Sequence, residues 1–406
     1  MNAGDTAWLL VSAALVLLMT PALALFYGGM VRKKNVLSTI MHSMSAIPIV
    51  SAIWLAFGYS LAFGPSIKGV IGTLGMAGLS GLTTTLHGTV PSLAFVAFQM
   101  MFAVITPALI SGAFAERLKF SAYVLLVVLW TTLVYIPVAH WVWADDGWLL
   151  KLGALDFAGG TVVHLTAGAS ALVCALVIGK RLKYPEERHL PHNLTMTLTG
   201  AGILWFGWFG FNAGSALTSG WQAALAFMTT HLGAAGGALG WLFVEWKLRG
   251  KPTALGVASG LVAGLVAITP AAGFVSPMWA VVIGFLASIA CYAAVLAKYK
   301  YGYDDSLDAF GVHGVGGFVG AVLTGVFAEV RTFPGGDPVG ANGLIAGNPK
   351  QVGVQLLACA AAGIYAVVVT WVILKVIDKT VGLRVTDGDE REGLDTSQHG
   401  EEGYAH

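Results

Sequence analysis

Apolar stretches of about 20 residues, separated by short polar gaps, recur along most of this chain. Each is long enough to cross a hydrocarbon core of about 30 Å as a helix. They lie near 7–29, 37–63, 91–115, 121–143, 158–180, 193–212, 222–248, 253–271, 276–298, 308–329 and 353–378. The pattern predicts an all-α membrane protein with eleven transmembrane helices. After residue 378 the chain turns polar, with Asp387, Asp389, Glu390, Arg391, Glu392 and Asp395.

Composition supports the same solvent. Only 11% of the 406 residues are charged and 56% are apolar, against roughly 25% charged in a soluble domain. The net charge of +1 says nothing about partners, but its placement does. All 22 Lys and Arg lie outside the apolar cores or at their ends. One set of alternate gaps carries Arg32 to Lys34, Arg117 and Lys119, Lys180 to Arg188, Lys247 to Lys251, and Lys298 with Lys300. With Lys375, Lys379, Arg384 and Arg391 of the tail, this side holds 18; the other holds only Lys68, Lys151, Arg331 and Lys350. The positive-inside bias predicts the N-terminus outside and the C-terminus in the cytoplasm, and one missed helix would scramble the alternation. The first stretch has no positive n-region and is too long for a signal-peptide core, so it reads as a first transmembrane helix. Cys174, Cys291 and Cys359 fall inside predicted helices without metal-ligand spacing and read as small buried hydrophobes.

Gly256, Gly260 and Gly264 recur at four-residue intervals, a spacing that lets membrane helices approach closely. A weak internal repeat is also visible. Leu155-Asp156-Phe157 precedes His164 in helix 5, and Leu307-Asp308-Ala309-Phe310 precedes His313 in helix 10. Five helices separate the two, so the halves, about 7–180 and 193–329, insert with opposite topology. Such a 5+5 inverted repeat is typical of transporters, with the substrate path between the halves. Helix 11, about 353–378, stands outside it. The expected division is a membrane domain over 1–380 and a cytoplasmic tail over 381–406.

No Lys, Arg, Asp or Glu sits deep in a predicted helix, which leaves histidines as the ionisable groups at depth. Such groups are costly in a bilayer and usually face a path through the bundle. His164 enters from one face and His313 from the other, each about two turns down at about 1.5 Å per residue. Inverted symmetry brings them toward each other, where two imidazoles fix each other's tautomers by a ring-to-ring hydrogen bond. At the outer face topology gathers Trp143, Asp156, Phe211 and Ser215, with Phe98 and Phe102 lower on the same approach. Aromatic faces and a hydroxyl suit a small cation. An interfacial aromatic belt accounts for Trp141, Trp143 and Trp148 without any ligand, and position alone favours it.

The segments Phe26-Tyr27-Gly28-Gly29 with Arg32 and Asn35, GALDFAGGTVVH over 153–164, WFGWFGFNAGS over 205–215, GVHG over 311–314 and VGLRV over 381–385 resemble the Amt/MEP/Rh ammonium transporters, in the bacterial and archaeal Amt branch. The resemblance covers nearly the whole chain in order. It implies an eleven-helix fold, a homotrimer with one pore per subunit, and uptake of ammonium, with methylammonium as analogue, in the plasma membrane. It makes Trp143, Ser215 and the ring of Phe102 the outer recruitment site, with Asp156 a buried carboxylate that shapes it. Phe102 and Phe211 become the stacked gate, and His164 and His313 the paired pore histidines. The tail, with Glu392-Gly393-Leu394-Asp395, is expected to pack on the cytoplasmic face, where a PII-type signal protein plugs the pores. His231, in mid-helix 7, departs from the family pattern and receives no role, and the loops at 64–90 and 330–352 match poorly.

Ammonium and potassium have nearly equal radii, so selectivity has to come from something other than size. Ammonium has protons to give. A dry apolar pore excludes an unpaired charge, so the expected mechanism deprotonates ammonium near the gate, conducts ammonia and relays the proton through His164 and His313. The rivals are an electroneutral ammonia channel, an ammonium sensor acting through a separate partner, and a metalloenzyme built on His164, His313 and Asp156. The last lacks H-E-x-x-H or comparable spacing, and no G-x-x-x-x-G-K-[ST] loop supports ATP-driven pumping. The chain is expected not to be an enzyme, and no cofactor, metal or nucleic acid is implied.

Overall fold

A chain this apolar has to satisfy its backbone within each segment, because lipid offers no hydrogen-bonding partner, and helices do so completely. The computed structural model is accordingly mostly helical; it describes residues 1–187, 189–334, 336 and 338–404. Arg188, counted above with the cytoplasmic cations, and the last two residues of the tail lie outside the described residues.

Among the described residues nine helices are long and apolar enough to cross a membrane: Ala3–Met30, Lys33–Phe63, Ser92–Ala113, Phe120–Leu152, Gly160–Ile178, Leu194–Gly214, Pro277–Tyr301, Phe310–Phe327 and Lys350–Thr380. Two more lie between them. Trp221–Arg249 is long but less apolar, ending in Glu245, Lys247 and Arg249, and Ala254–Ile268 is apolar but short. Among the described residues three pairs of two-residue antiparallel strands, including Leu86–His87 with Val90–Pro91, lie in the loops.

Small residues decide where the helices cross. The row Gly256, Gly260 and Gly264 packs against Trp221–Arg249: a methyl at Gly264 would lie 2.2 Å from the Gly233 carbonyl oxygen. A second crossing joins the two histidine-bearing helices, where a methyl at Gly168 would lie 2.0 Å from the Gly314 nitrogen. Only glycine permits so close an approach, and it sets two turns side by side that are wound as π-helix, Gly160–Leu165 and Phe310–Gly314. Such turns commonly mark functional positions.

The tail is ordered against one end of the bundle. Thr386 and Asp389 form a capping box that starts the helix Asp387–Glu392, satisfying orphan donors reciprocally. Arg384 pairs with Glu390 at 2.7 Å, and Glu390 accepts from the Leu182 N–H at 2.6 Å. Asp395 accepts from the N–H groups of Leu37 and Ser38 at 3.1 and 2.8 Å, near the start of helix Val36–Ile53, where the dipole favours an anion. Leu394 is fully buried, and its N–H donates to Asn35 Oδ1 at 2.8 Å.

Candidate functional site

The π-wound turn Gly160–Leu165 begins with four unsatisfied N–H groups, as every helix does. Asp156 takes all four. Its Oδ1 accepts from Gly159 and Gly160 at 2.9 and 2.6 Å, and its Oδ2 from Thr161 and Val162 at 2.9 and 3.0 Å. The carboxylate is buried and engaged by its own chain, and it holds the turn that carries His164. Its backbone carbonyl in turn accepts from Trp143 Nε1 at 2.9 Å, which fixes the indole.

From that indole the rings descend in order. Trp143 meets the edge of Phe102 at 5.8 Å and 90°, and Phe102 stacks on Phe211 at 4.1 Å and 28°. Phe211 lies 6.0 Å from the ring of His164. Ser215 Oγ donates to the Phe211 carbonyl at 2.9 Å, leaving its lone pairs to accept. Phe98, expected on the approach, is fully buried with its ring against Phe102; it does not line the vestibule. That vestibule, about 180 Å³, is walled by His87, Gln99, Phe102, Trp143, Asp145 and Ser215, among others.

Below the phenylalanines the two histidines face each other. Their rings are nearly parallel, 13° apart with centroids at 5.3 Å, and Nδ1 lies 3.2 Å from Nδ1. Trp208, whose Nε1 donates to Thr269 at 2.9 Å, stacks on His164 at 5.4 Å. Met19, Leu23, Ile105, Leu109 and Val262 complete the wall. The space they leave is about 10 Å³, at the lower limit for one water. His164 Nε2 has no hydrogen-bond partner among the described residues.

The turn carrying His313 is capped from the other direction, and by a different residue than the sequence repeat aligned. Asp305 accepts from the N–H groups of Ala309 and Phe310 at 3.0 and 2.8 Å. Asp308, matched above to Asp156, instead pairs with Lys298 at 2.5 Å. Asp305 precedes His313 by eight residues, as Asp156 precedes His164; equal spacing was the signal that would have found it. Also missed were Gln99, whose Oε1 is buried with no partner among the described residues, and His87. His231 lies outside the pore, exposed and stacked on Trp205 at 5.2 Å.

Beneath Asp305 lies a buried ion cluster. Glu116 accepts from Arg32, Arg181 and Asn35 at 3.0, 3.1 and 2.8 Å, and Arg181 also pairs with Asp304 at 2.8 Å. Burial alone would raise the Glu116 carboxyl, yet the guanidinium groups of Arg181 and Arg32 hold it down at about 2. Asp304 is likewise held at about 2 by Arg181, against the effect of burial.

Residues 7–404 match the sequence pattern of the Ammonium Transporter Family. The chain is 51% identical to a protein named ammonium transporter from Bacillus subtilis (strain 168), over 408 residues, 100% of this chain and 99% of that one. It is 46% identical to ammonium transporter Amt1 of Archaeoglobus fulgidus, with 100% of both chains covered. Its structure is similar to the crystal structure of Saccharomyces cerevisiae Mep2, with a TM-score of 0.88, 39% identity, and 95% of this chain and 88% of that one covered.

Proposed function

The chain belongs to the ammonium transporter family and is a multi-pass membrane protein, and on that premise we propose that it takes up ammonium across the plasma membrane through the path just described. Trp143, Phe102 and Ser215 recruit the ion, by aromatic faces and an acceptor oxygen. Asp156 holds the site's shape, and Phe102 with Phe211 forms the gate. Ammonium loses a proton at the gate and crosses as ammonia, while His164 and His313 relay the proton.

The observation that carries this reading is the stacked pair Phe102 and Phe211 lying over two histidines joined Nδ1 to Nδ1, in a space too small for a hydrated cation. In that contact one Nδ1 carries the shared hydrogen and the other accepts it, so the rings hold opposite tautomers. A proton taken up at the free Nε2 lone pair of one ring pushes the shared hydrogen across and releases the Nε2 hydrogen of the other. Ammonia follows through the apolar passage and recombines with the proton at the tail end. Potassium, with no proton to give, meets the desolvation cost in full.

The membrane arrangement belongs to the same proposal. Counting Trp221–Arg249 and Ala254–Ile268 with the nine apolar helices gives eleven spans, the N-terminus outside and the tail in the cytoplasm. The clustering of cations at the tail end supports that orientation. The inverted repeat is supported by the two capped turns of equal spacing. Residues 1–380 form the transport domain, assembled as a homotrimer, and 381–406 the tail, at which a PII-type protein docks.

The test is transport with electrical readout in reconstituted vesicles, comparing ammonium, methylammonium and potassium. Ammonium and methylammonium should give current and potassium none; ammonia flux without current would identify an electroneutral channel instead. With His164→Ala and His313→Ala together, the proton-coupled current should vanish and potassium begin to permeate. A double variant that keeps ammonium-specific current would place selectivity wholly at Trp143, Phe102 and Ser215 and overturn the relay.

A further inference from the structure

The wall of the vestibule contains one ionisable ring that none of the roles above uses. His87 ends the first strand of the hairpin Leu86–His87 with Val90–Pro91, turned by Gly88 at φ +56°, a conformation glycine adopts freely. The hairpin lays the imidazole flat on Phe95, with centroids 3.7 Å apart and 13° between planes. Phe95 is itself fixed edge-on by Phe63 at 5.1 Å. The ring is therefore held at a defined place, in the same cavity as Phe102, Trp143 and Ser215. No hydrogen bond from a described residue engages either of its nitrogens, so whichever carries no hydrogen is an unused acceptor on a ring that lines this cavity.

We propose that His87 is a further residue of the ammonium-recruiting vestibule: its neutral imidazole accepts a hydrogen bond from the incoming ion, and its protonated form repels that ion. The inference rests on the reading of the vestibule as the ammonium site. The chemistry fits ammonium better than a metal cation, because imidazole receives an N–H without other ligands and Phe95 backs the ring with an apolar face.

The groups that face His87 are few. Helix Ser92–Ile110 contributes Phe95 and Gln99, neither ionisable. The loop after Trp143 contributes Asp145, whose charge favours the protonated ring; Asp146 beside it is engaged by Lys151 at 2.5 Å. On the hairpin itself, Thr89 donates to Asp5 at 2.7 Å, and that carboxylate is also bound to Ser219. Burial of the ring outweighs Asp145 and moves its titration below the ordinary value. At neutral pH the ring is therefore an acceptor, and it becomes a cation only in acid.

The experiment measures KM for ammonium current in reconstituted vesicles at about pH 8 and about pH 4.5, the acid condition set well below ordinary histidine titration at about 6.5 because burial lowers that of His87. Ammonium is the dominant species at both, so the substrate itself does not change. The wild type should show a KM several-fold higher in acid. His87→Gln, which keeps an acceptor and cannot charge, should hold its KM between the two conditions. His87→Phe, which keeps the stack and removes the acceptor, should have a raised KM at both. If His87→Phe reproduces the wild-type KM and its acid increase, the inference is overturned. Trp143→Ala separates the two failures: an unchanged KM there overturns the vestibule reading, whereas a raised KM beside a wild-type His87→Phe overturns the role of His87 alone.

Discussion

The two histidine-bearing turns are held in different ways. On the vestibule side Asp156 takes four N–H groups from residues 159–162, all within six positions of itself. On the tail side Asp305 takes only two, equally local, and the groups packed around it bring in residues distant in sequence. Lys298 Nζ donates to its backbone carbonyl at 3.0 Å, and its neighbour Asp304 is bound by Arg181. From there contacts run through Glu116 and Asn35 to Leu394 of the tail. One turn has a full local cap of four N–H groups; the other has half of one and adjoins an ion network that the tail contacts through Asn35. The chain of contacts from the tail therefore ends beside the His313 turn and not beside the His164 turn.

The largest effect should come from Asp156→Ala. Hydrogen bonds to a charged acceptor contribute about 1.5–3 kcal/mol each, and buried donors left unpaired cost more than the bond itself. Loss of four at once should abolish transport and lower thermal stability in detergent sharply. Asp305→Ala, losing two, should be milder, and equal melting of the two variants would break the contrast.

Glu116→Gln should follow. It leaves the buried Arg181 with one carboxylate fewer, and breaking a buried pair costs about 3–5 kcal/mol. Limited proteolysis should release the tail from this variant. Transport should suffer through the His313 side while the KM set by the vestibule stays near wild type; a raised KM would mean that the two ends are coupled after all.

Deleting residues 382–406 should be gentler. Exposing the Leu394 pocket and uncapping the helix that starts at Val36 should lower stability by about 2–4 kcal/mol. The bundle should remain folded, since the helix crossings at Gly168 and Gly264 involve no tail residue. Flux should fall or lose its regulation. Failure to insert or assemble would make the tail a structural element of the whole molecule.

The smallest effect is acid sensitivity of the tail side. Glu116 and Asp304 are held at about 2 in the folded chain, below about 4.3 and 3.9 when unfolded. Depressed carboxyls contribute stability that is present above the unfolded values and is lost as pH falls toward the folded ones. Tail release followed by proteolysis should therefore begin below about pH 4 and progress toward about pH 2. Glu116→Gln should blunt that dependence, and an unchanged profile would show that other groups set it.

Much of this was readable along the chain. Apolar length marks the segments able to cross a membrane, because the transfer of a stretch into lipid depends on its own composition. The absence of Lys, Arg, Asp and Glu at depth left the histidines as candidates, and the repeat that places His164 and His313 in matching helices of the two halves picked out that pair without any knowledge of contacts. Asp156 was legible too, as an acidic residue just before a helix.

What the sequence alone left open was which groups meet. It aligned Asp308 with Asp156, but Asp305 caps the turn and Lys298 draws Asp308 aside. Position alone put Phe98 and Phe102 on one approach, and packing put the first behind the second. The stack of Phe102 on Phe211, the hairpin that sets His87 over the vestibule, and the path from Leu394 to Asp304 join residues distant in sequence. The physical reason is one of range. Hydropathy, capping and charge placement are properties of a segment and its nearest neighbours. The meeting of two imidazoles at 3.2 Å depends on two helices crossing at Gly168 and Gly314 with no side chain between them, and only the assembled bundle decides that.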